Sequence, residues 1–191
     1  PRLYRKGDSF QSVSGSFSTE AVFTRIDALR ADLPNLALTP EMSGVLARAL
    51  ADLAVAPADR TETTFFLRPH TVEELARLTD DELPRYLYHR FRYDVYPKTK
   101  ELDAYPPCLQ IEPTSICNFR CVFCFQTDPL LTQRKHGHAG QISLDLFKQI
   151  VDQIEGHIEF VTMASRGEPL MTKGIEEMLD YASGKFLGLK M

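Results

Sequence analysis

The sequence predicts an α/β fold over residues 108–191, preceded by a mainly α-helical region over 1–96 and a linker at 97–107. Three observations lead there. Short apolar runs at Cys108–Pro113, His157–Met163 and Phe186–Met191 are separated by two stretches with helical apolar spacing. A β-α-β-α-β order of this kind favours parallel strands joined by right-handed crossovers. The first hundred residues, by contrast, carry helix-start signals and no alternating runs.

The elements follow in chain order. "TPEMSGVLARALADL" offers Thr39 as N-cap, Pro40 at the first helical position, and an apolar stripe through Met42, Val45, Leu46, Ala49 and Leu53. "TVEELARL" reads as a capping box, with Thr71 reciprocated by Glu74. "DDELPRYLYHRF" continues helical, with Pro84 tolerated in its first turn. Tyr86, Tyr88, Phe91, Tyr93 and Tyr96 are expected to pack this region rather than touch a substrate. "YDVYPKTKELDAYPP" has three prolines and no periodicity, which suits a linker. "CLQIEP" then ends a strand at proline, with Gln110 and Glu112 on one face and Leu109 and Ile111 on the other. That polar pair is open to two readings, ligand contact or simple stabilisation. Ser143 caps a helix striped by Phe147, Ile150, Val151 and Ile154, and Gly156 stops it. "HIEFVTM" is the second strand. Ile175, Met178, Leu179 and Ala182 mark a second helix closed by Gly184, and "FLGLKM" starts a third strand.

Composition narrows the function. Hydrophobic residues make up 43% and charged residues 25%, with a net charge of −4. That balance gives no basic footprint for nucleic acid, and no apolar run approaches the length of a membrane span. The cytoplasm is the expected location.

Three of the four cysteines fall within "CNFRCVFC", as Cys117, Cys121 and Cys124. Four cysteines in a long chain make a poor disulfide framework. Three thiols within eight residues suit one metal centre better, with zinc, copper(I) or an iron–sulfur cluster as candidates. Zinc sites usually take a second ligand pair, and only His136 and His138 lie nearby. Those histidines, with Arg134 and Lys135, read as a solvated loop before an anion contact. Cys108, outside the triplet, is expected to be a buried small hydrophobe.

The triplet, with aromatic Phe123 before its last cysteine, resembles the C-x-x-x-C-x-Φ-C loop of radical S-adenosylmethionine (radical SAM) enzymes. "LQIEPTSIC" and Asn118 resemble the surrounding strand and loop. "ASRGEPLM" is similar to that superfamily's G-G-E-P segment, matching at Gly167, Glu168 and Pro169, with Arg166 in place of a glycine. The resemblance implies the first part of a partial (β/α)6 barrel and a [4Fe–4S] cluster on Cys117, Cys121 and Cys124. S-adenosylmethionine (SAM) would lie against Phe123, Gly167, Glu168 and Pro169, with Gly167 letting the backbone approach the ligand. It further implies reductive cleavage of SAM to a 5′-deoxyadenosyl radical, which takes hydrogen from a substrate. That substrate, small molecule or peptide, is left open, and an electron donor such as flavodoxin or ferredoxin is implied. No side chain is assigned a catalytic role. Two units and the start of a third are present of about six, so the chain is expected to be the N-terminal portion of such an enzyme. Any auxiliary cluster domain would lie in the remainder. A structural zinc module and a non-catalytic iron–sulfur relay are the alternatives.

Overall fold

Apolar stripes and caps account for the helices of the first unit. The computed structural model describes residues 17–191, with residues 1–16 outside the description, and falls into a unit ending at Ala104 and a second, Tyr105–Met191. Helix α1 (Thr19–Asp32) begins where the Ser18 hydroxyl accepts from Ala21 N–H, and it buries Val22, Ile26 and Leu29. Thr39 does the same for Met42 N–H at the start of α2 (Pro40–Leu53), which buries Val45, Leu46, Ala49 and Leu50. Phe65 and Leu75 join this core, and the Phe65 ring meets Phe91 edge-on at 5.5 Å.

Two expectations change here. Helix α3 (Pro69–Arg77) starts at Pro69, so Thr71 lies inside it and makes no capping box. Its hydroxyl is buried without a partner, and Glu74 instead accepts from the Tyr86 hydroxyl. Proline at the first helical position sets the start, because its missing N–H needs no acceptor there. Helix α4 (Leu83–Thr99) also runs on past Pro97, into the stretch read as linker. A proline in the last turn forfeits little, and the turn is closed by Glu101 N–H on Tyr96 O and the Thr99 hydroxyl on Val95 O. Of the aromatic series, Tyr86, Tyr88 and Phe91 are buried on α4, whereas Tyr93 is exposed.

Charge pairs fasten the segment after α4. Arg92, 1% exposed, donates to Asp103 at 2.5 Å and lies over the Tyr88 ring. Arg48 grips Glu101 through two hydrogen bonds of 2.7 Å. Those bonds, with the Thr99 hydroxyl, hold the Glu101 carboxyl down at about 2. A depressed folded-state value means the pair stabilises fully above about pH 4.5 and is lost as pH falls toward 2. The pair is partly solvated, so its loss costs under about 1 kcal/mol. In thermal melts from pH 6 to pH 2, wild type should therefore exceed Glu101→Gln at pH 6 and converge with it near pH 2.

The second unit is a three-stranded parallel sheet among the described residues, in the order β1 (Cys108–Gln110), β2 (Phe160–Thr162), β3 (Gly188–Lys190). Helix α6 (Leu144–Ile154) joins β1 to β2 and α7 (Ile175–Ala182) joins β2 to β3, while a single-turn α5 (Pro129–Thr132) follows the cysteine loop. Ser143 caps α6 through Leu146 N–H. Gly156 and Gly184 end the two long helices with φ of +78° and +76°, where glycine alone is unstrained.

Register sorts the sheet into two faces. Leu109, Val161 and Leu189 stand in one row and pack with Phe147, Val151, Ile154, Met178 and Ala182 from the helices. Cys108 alternates opposite Leu109 and is exposed rather than buried, because the apolar helices cover the other face. The strands are shorter than their apolar runs, although Ile111 N–H still donates to Thr162 O and Met163 N–H to Lys190 O. Phe147 is wholly buried at the centre of this core. Phe147→Ala should destabilise the unit by about 3–5 kcal/mol in denaturant unfolding, through lost transfer energy and a cavity. Among the described residues, no helix is long and apolar enough to cross a membrane.

Candidate functional site

Both sequence motifs sit on loops that leave the C-terminal ends of neighbouring parallel strands, which is where such sheets place their ligands. The first loop leaves β1 through Pro113, which has no backbone N–H with which to extend the pairing. From there the backbone turns to the segment before α6. Ser115 N–H donates to Gly140 O, Ile142 N–H to Pro113 O, and Thr114 bridges antiparallel to Gln141. Side chains reinforce the turn: the Thr114 hydroxyl donates to Gly140 O and accepts from Ile116 N–H. Ile116 thereby becomes a fixed platform one residue before Cys117.

The cysteine loop then closes on itself. Arg120 donates to the carbonyls of Cys117 and Phe119, and Cys124 N–H donates to Cys121 O. Thr127 donates through both its backbone N–H and its hydroxyl to Cys124 O. All three thiols are free, with Cys121 exposed and Cys117 and Cys124 half-buried. Between the last two, Val122 and Phe123 are 93% and 90% exposed. Phe123 thus presents its ring outward from the loop rather than packing beneath it.

The second loop leaves β2 and returns to the first. Glu168 N–H donates to Ile116 O at 2.9 Å. Its carboxylate accepts from Leu170 N–H, capping a 3-10 turn, Pro169–Met171, that buries Pro169. Gly167 is where the two backbones nearly touch. A Cβ there would lie 2.0 Å from Thr114 O and 2.8 Å from Ile116 O. The absence of a side chain at Gly167 is what lets these two stretches of the chain's own backbone come together.

Arg166, the departure from the glycine pattern, is accommodated by Glu112. Its guanidinium donates twice to that carboxylate at 2.7 Å and its backbone N–H donates once more. Those bonds hold the Glu112 carboxyl below its ordinary range, against an opposing push from partial burial. Gln110 turns the same way and donates to Ala164 O. Both polar residues of the first strand thus brace the second loop. Beside them a cleft of about 310 Å³ opens between the Arg166–Glu112 pair, Ser115 and the Gly137–Ile142 segment. His138 borders that cleft; His136 and Lys135 are exposed, and the side chain of Arg134 lies outside those described.

The chain is 34% identical over 89 residues to the mycofactocin maturase MftC of Mycobacterium tuberculosis, covering 47% of this chain and 21% of that protein. The MftC of Mycolicibacterium smegmatis gives 33% over 89 residues, with the same coverage. A GTP 3′,8-cyclase of Campylobacter fetus subsp. fetus gives 29% over 84 residues, 44% of this chain and 25% of that one. These relatives are radical SAM enzymes, and the chain is their homologue.

The chain spans about a fifth to a quarter of the length of the radical SAM relatives it matches. No family model and no solved structure matches it. Against that relationship, the structure brings Gly167 and Glu168 against the platform preceding Cys117. It does not draw the thiols into a ready-made cage: among the described residues, no group of three or more His, Cys, Asp or Glu side chains could hold a metal ion as it stands. The residues that couple the loops, Thr114, Ser115 and Gln126, carry no signal in the spacing of cysteines. Only the hydrogen-bond pattern reveals them.

Proposed function

We propose that this chain carries the cluster- and SAM-binding part of a radical SAM enzyme, built on the opening units of a partial (β/α)6 barrel over 108–191. One observation supports this above the rest. The cysteine loop and the R-G-E-P loop are stitched side by side at the same end of one parallel sheet, through Glu168 N–H on Ile116 O and the Gly167 contact. The donor chemistry fits as well, since three free thiols on one short loop suit a soft iron–sulfur centre with one iron left open.

In this reading Cys117, Cys121 and Cys124 would hold a [4Fe–4S] cluster, and Phe123 together with the segment Gly167, Glu168 and Pro169 would bind SAM. Glu168 is oriented by its own cap and offers a carboxylate to the methionine amino group. The exposed Phe123 ring offers an apolar surface to the adenine. When bound, the two cofactors supply one-electron cleavage of SAM and a 5′-deoxyadenosyl radical for hydrogen abstraction. The helical region up to residue 96 has no assigned role in that chemistry, and 97–107 leads into the barrel. A reduced flavodoxin or ferredoxin in the cytoplasm would deliver the electron, and the substrate is a small molecule or peptide.

Product analysis tests the reading. Anaerobically reconstituted full-length protein, incubated with SAM and dithionite, should release 5′-deoxyadenosine and methionine together. Stoichiometric iron loading with neither product formed would refute it.

A further inference from the structure

Gln126 lies two residues beyond Cys124 and is only 7% exposed. Its side-chain amide nitrogen donates to Ser115 O at 2.7 Å and to Arg166 O at 2.9 Å. One acceptor belongs to the platform that precedes the cysteine loop, and the other to the R-G-E-P loop. Because both partners are carbonyl oxygens, the amide has one satisfactory orientation, with nitrogen toward both. A buried donor shared in this way also leaves two acceptors unsatisfied if it is removed.

The placement has a consequence for the site. Gln126 is carried by the 3-10 turn Phe125–Thr127, which is anchored to Cys124 O through Thr127. Any shift of that end of the cysteine loop is therefore passed to Arg166 O, immediately before Gly167. We infer that Gln126 is a positioning residue, setting the register between the thiol loop and the loop bearing Glu168. The inference rests on the radical SAM reading above. It adds that SAM affinity depends on a side chain outside both motifs.

Gln126→Met tests this, because methionine keeps the length and bulk of glutamine and removes only the donor. The full-length protein is reconstituted and compared with wild type in three measurements. Iron content and the reduced-cluster EPR signal without SAM are expected to match wild type, since no thiol is touched. Amide exchange of peptides spanning Ser165–Thr172 is expected to quicken about tenfold or more, while α6 stays unchanged. The SAM concentration that half-converts the cluster signal should rise by a similar factor. Wild-type values for both exchange and half-conversion would overturn the inference and leave the radical SAM reading standing. Loss of iron in step with loss of SAM response would also overturn it, placing Gln126 in service of the cluster loop alone. A wild-type cluster signal indifferent to SAM would remove the radical SAM reading, and this inference with it. Should the methionine variant fail to fold, Gln126→Asn carries the same expectations, with its amide one methylene short of both carbonyls.

Discussion

Cys117→Ala, Cys121→Ala and Cys124→Ala should each abolish stable iron–sulfur assembly, while Cys108→Ala should leave iron content near wild type. A three-thiolate site has no spare ligand, so each removal exposes an iron that the remaining protein cannot hold. Cys108 is exposed and unpaired, which at first makes it a candidate fourth ligand. Its position argues against that. It opens β1, and the strand must run at least three residues to Ile111, roughly 10 Å at strand rise, before the loop begins. Iron analysis and the visible spectrum after anaerobic reconstitution measure the effect, with far-ultraviolet circular dichroism to verify folding. Iron loss in Cys108→Ala as complete as in the other three would make Cys108 a ligand, and the site a closed four-thiolate relay.

Gly167→Val should produce the second large effect, acting on protein geometry before ligand binding. A Cβ at 2.0 Å from Thr114 O meets backbone rather than a flexible side-chain tip, so one of the two loops must move. Overpacking of this kind costs about 1–3 kcal/mol. Displacement would break the Glu168 N–H bond to Ile116 O and shift the carboxylate beside it. Denaturant unfolding should show that loss of stability, and SAM should perturb the reduced cluster only at concentrations about tenfold higher or more. The thiols are untouched, so the iron content should hold. Unchanged stability together with unchanged SAM affinity would remove the Gly167 contact from the description of the site.

Much of the second unit is legible in the sequence because its signals are local and agree with one another. Ser143 precedes an apolar stripe, Gly156 and Gly184 stand where left-handed turns are needed, and β-rich runs alternate with helical ones. Packing partners are less legible. The burial of a strand residue depends on which face the helices cover, so Cys108 reads as a small hydrophobe until Leu109 is seen to hold the apolar side. Thr71 and Glu74 have capping-box spacing, yet the helix already starts at Pro69, two residues before Thr71, and only the competition between the two signals decides. Helix α1 carries a serine cap and a Val22, Ile26, Leu29 stripe, but its mixed polar faces dilute the pattern.

The site divides along the same line. Cysteine spacing and Gly167-Glu168-Pro169 are read directly, since each is a short run of fixed residue types. The pairing of Glu112 with Arg166 joins positions 54 apart, and Gln126 reaches Arg166 O across 40. Nothing in local periodicity announces either contact. Arg166 looks anomalous in the motif until its partner is known; Glu112 then accounts for it.

The most direct measurement is the EPR spectrum of anaerobically reconstituted, dithionite-reduced protein, recorded while SAM is titrated in. A reduced four-iron signal that changes shape with saturating dependence on SAM is the expected result, because in the proposed site an iron without a protein ligand would be available to the cofactor. A reduced-cluster signal identical with and without SAM, or a colourless protein that retains zinc and no iron, would contradict an open-site radical SAM centre in this chain.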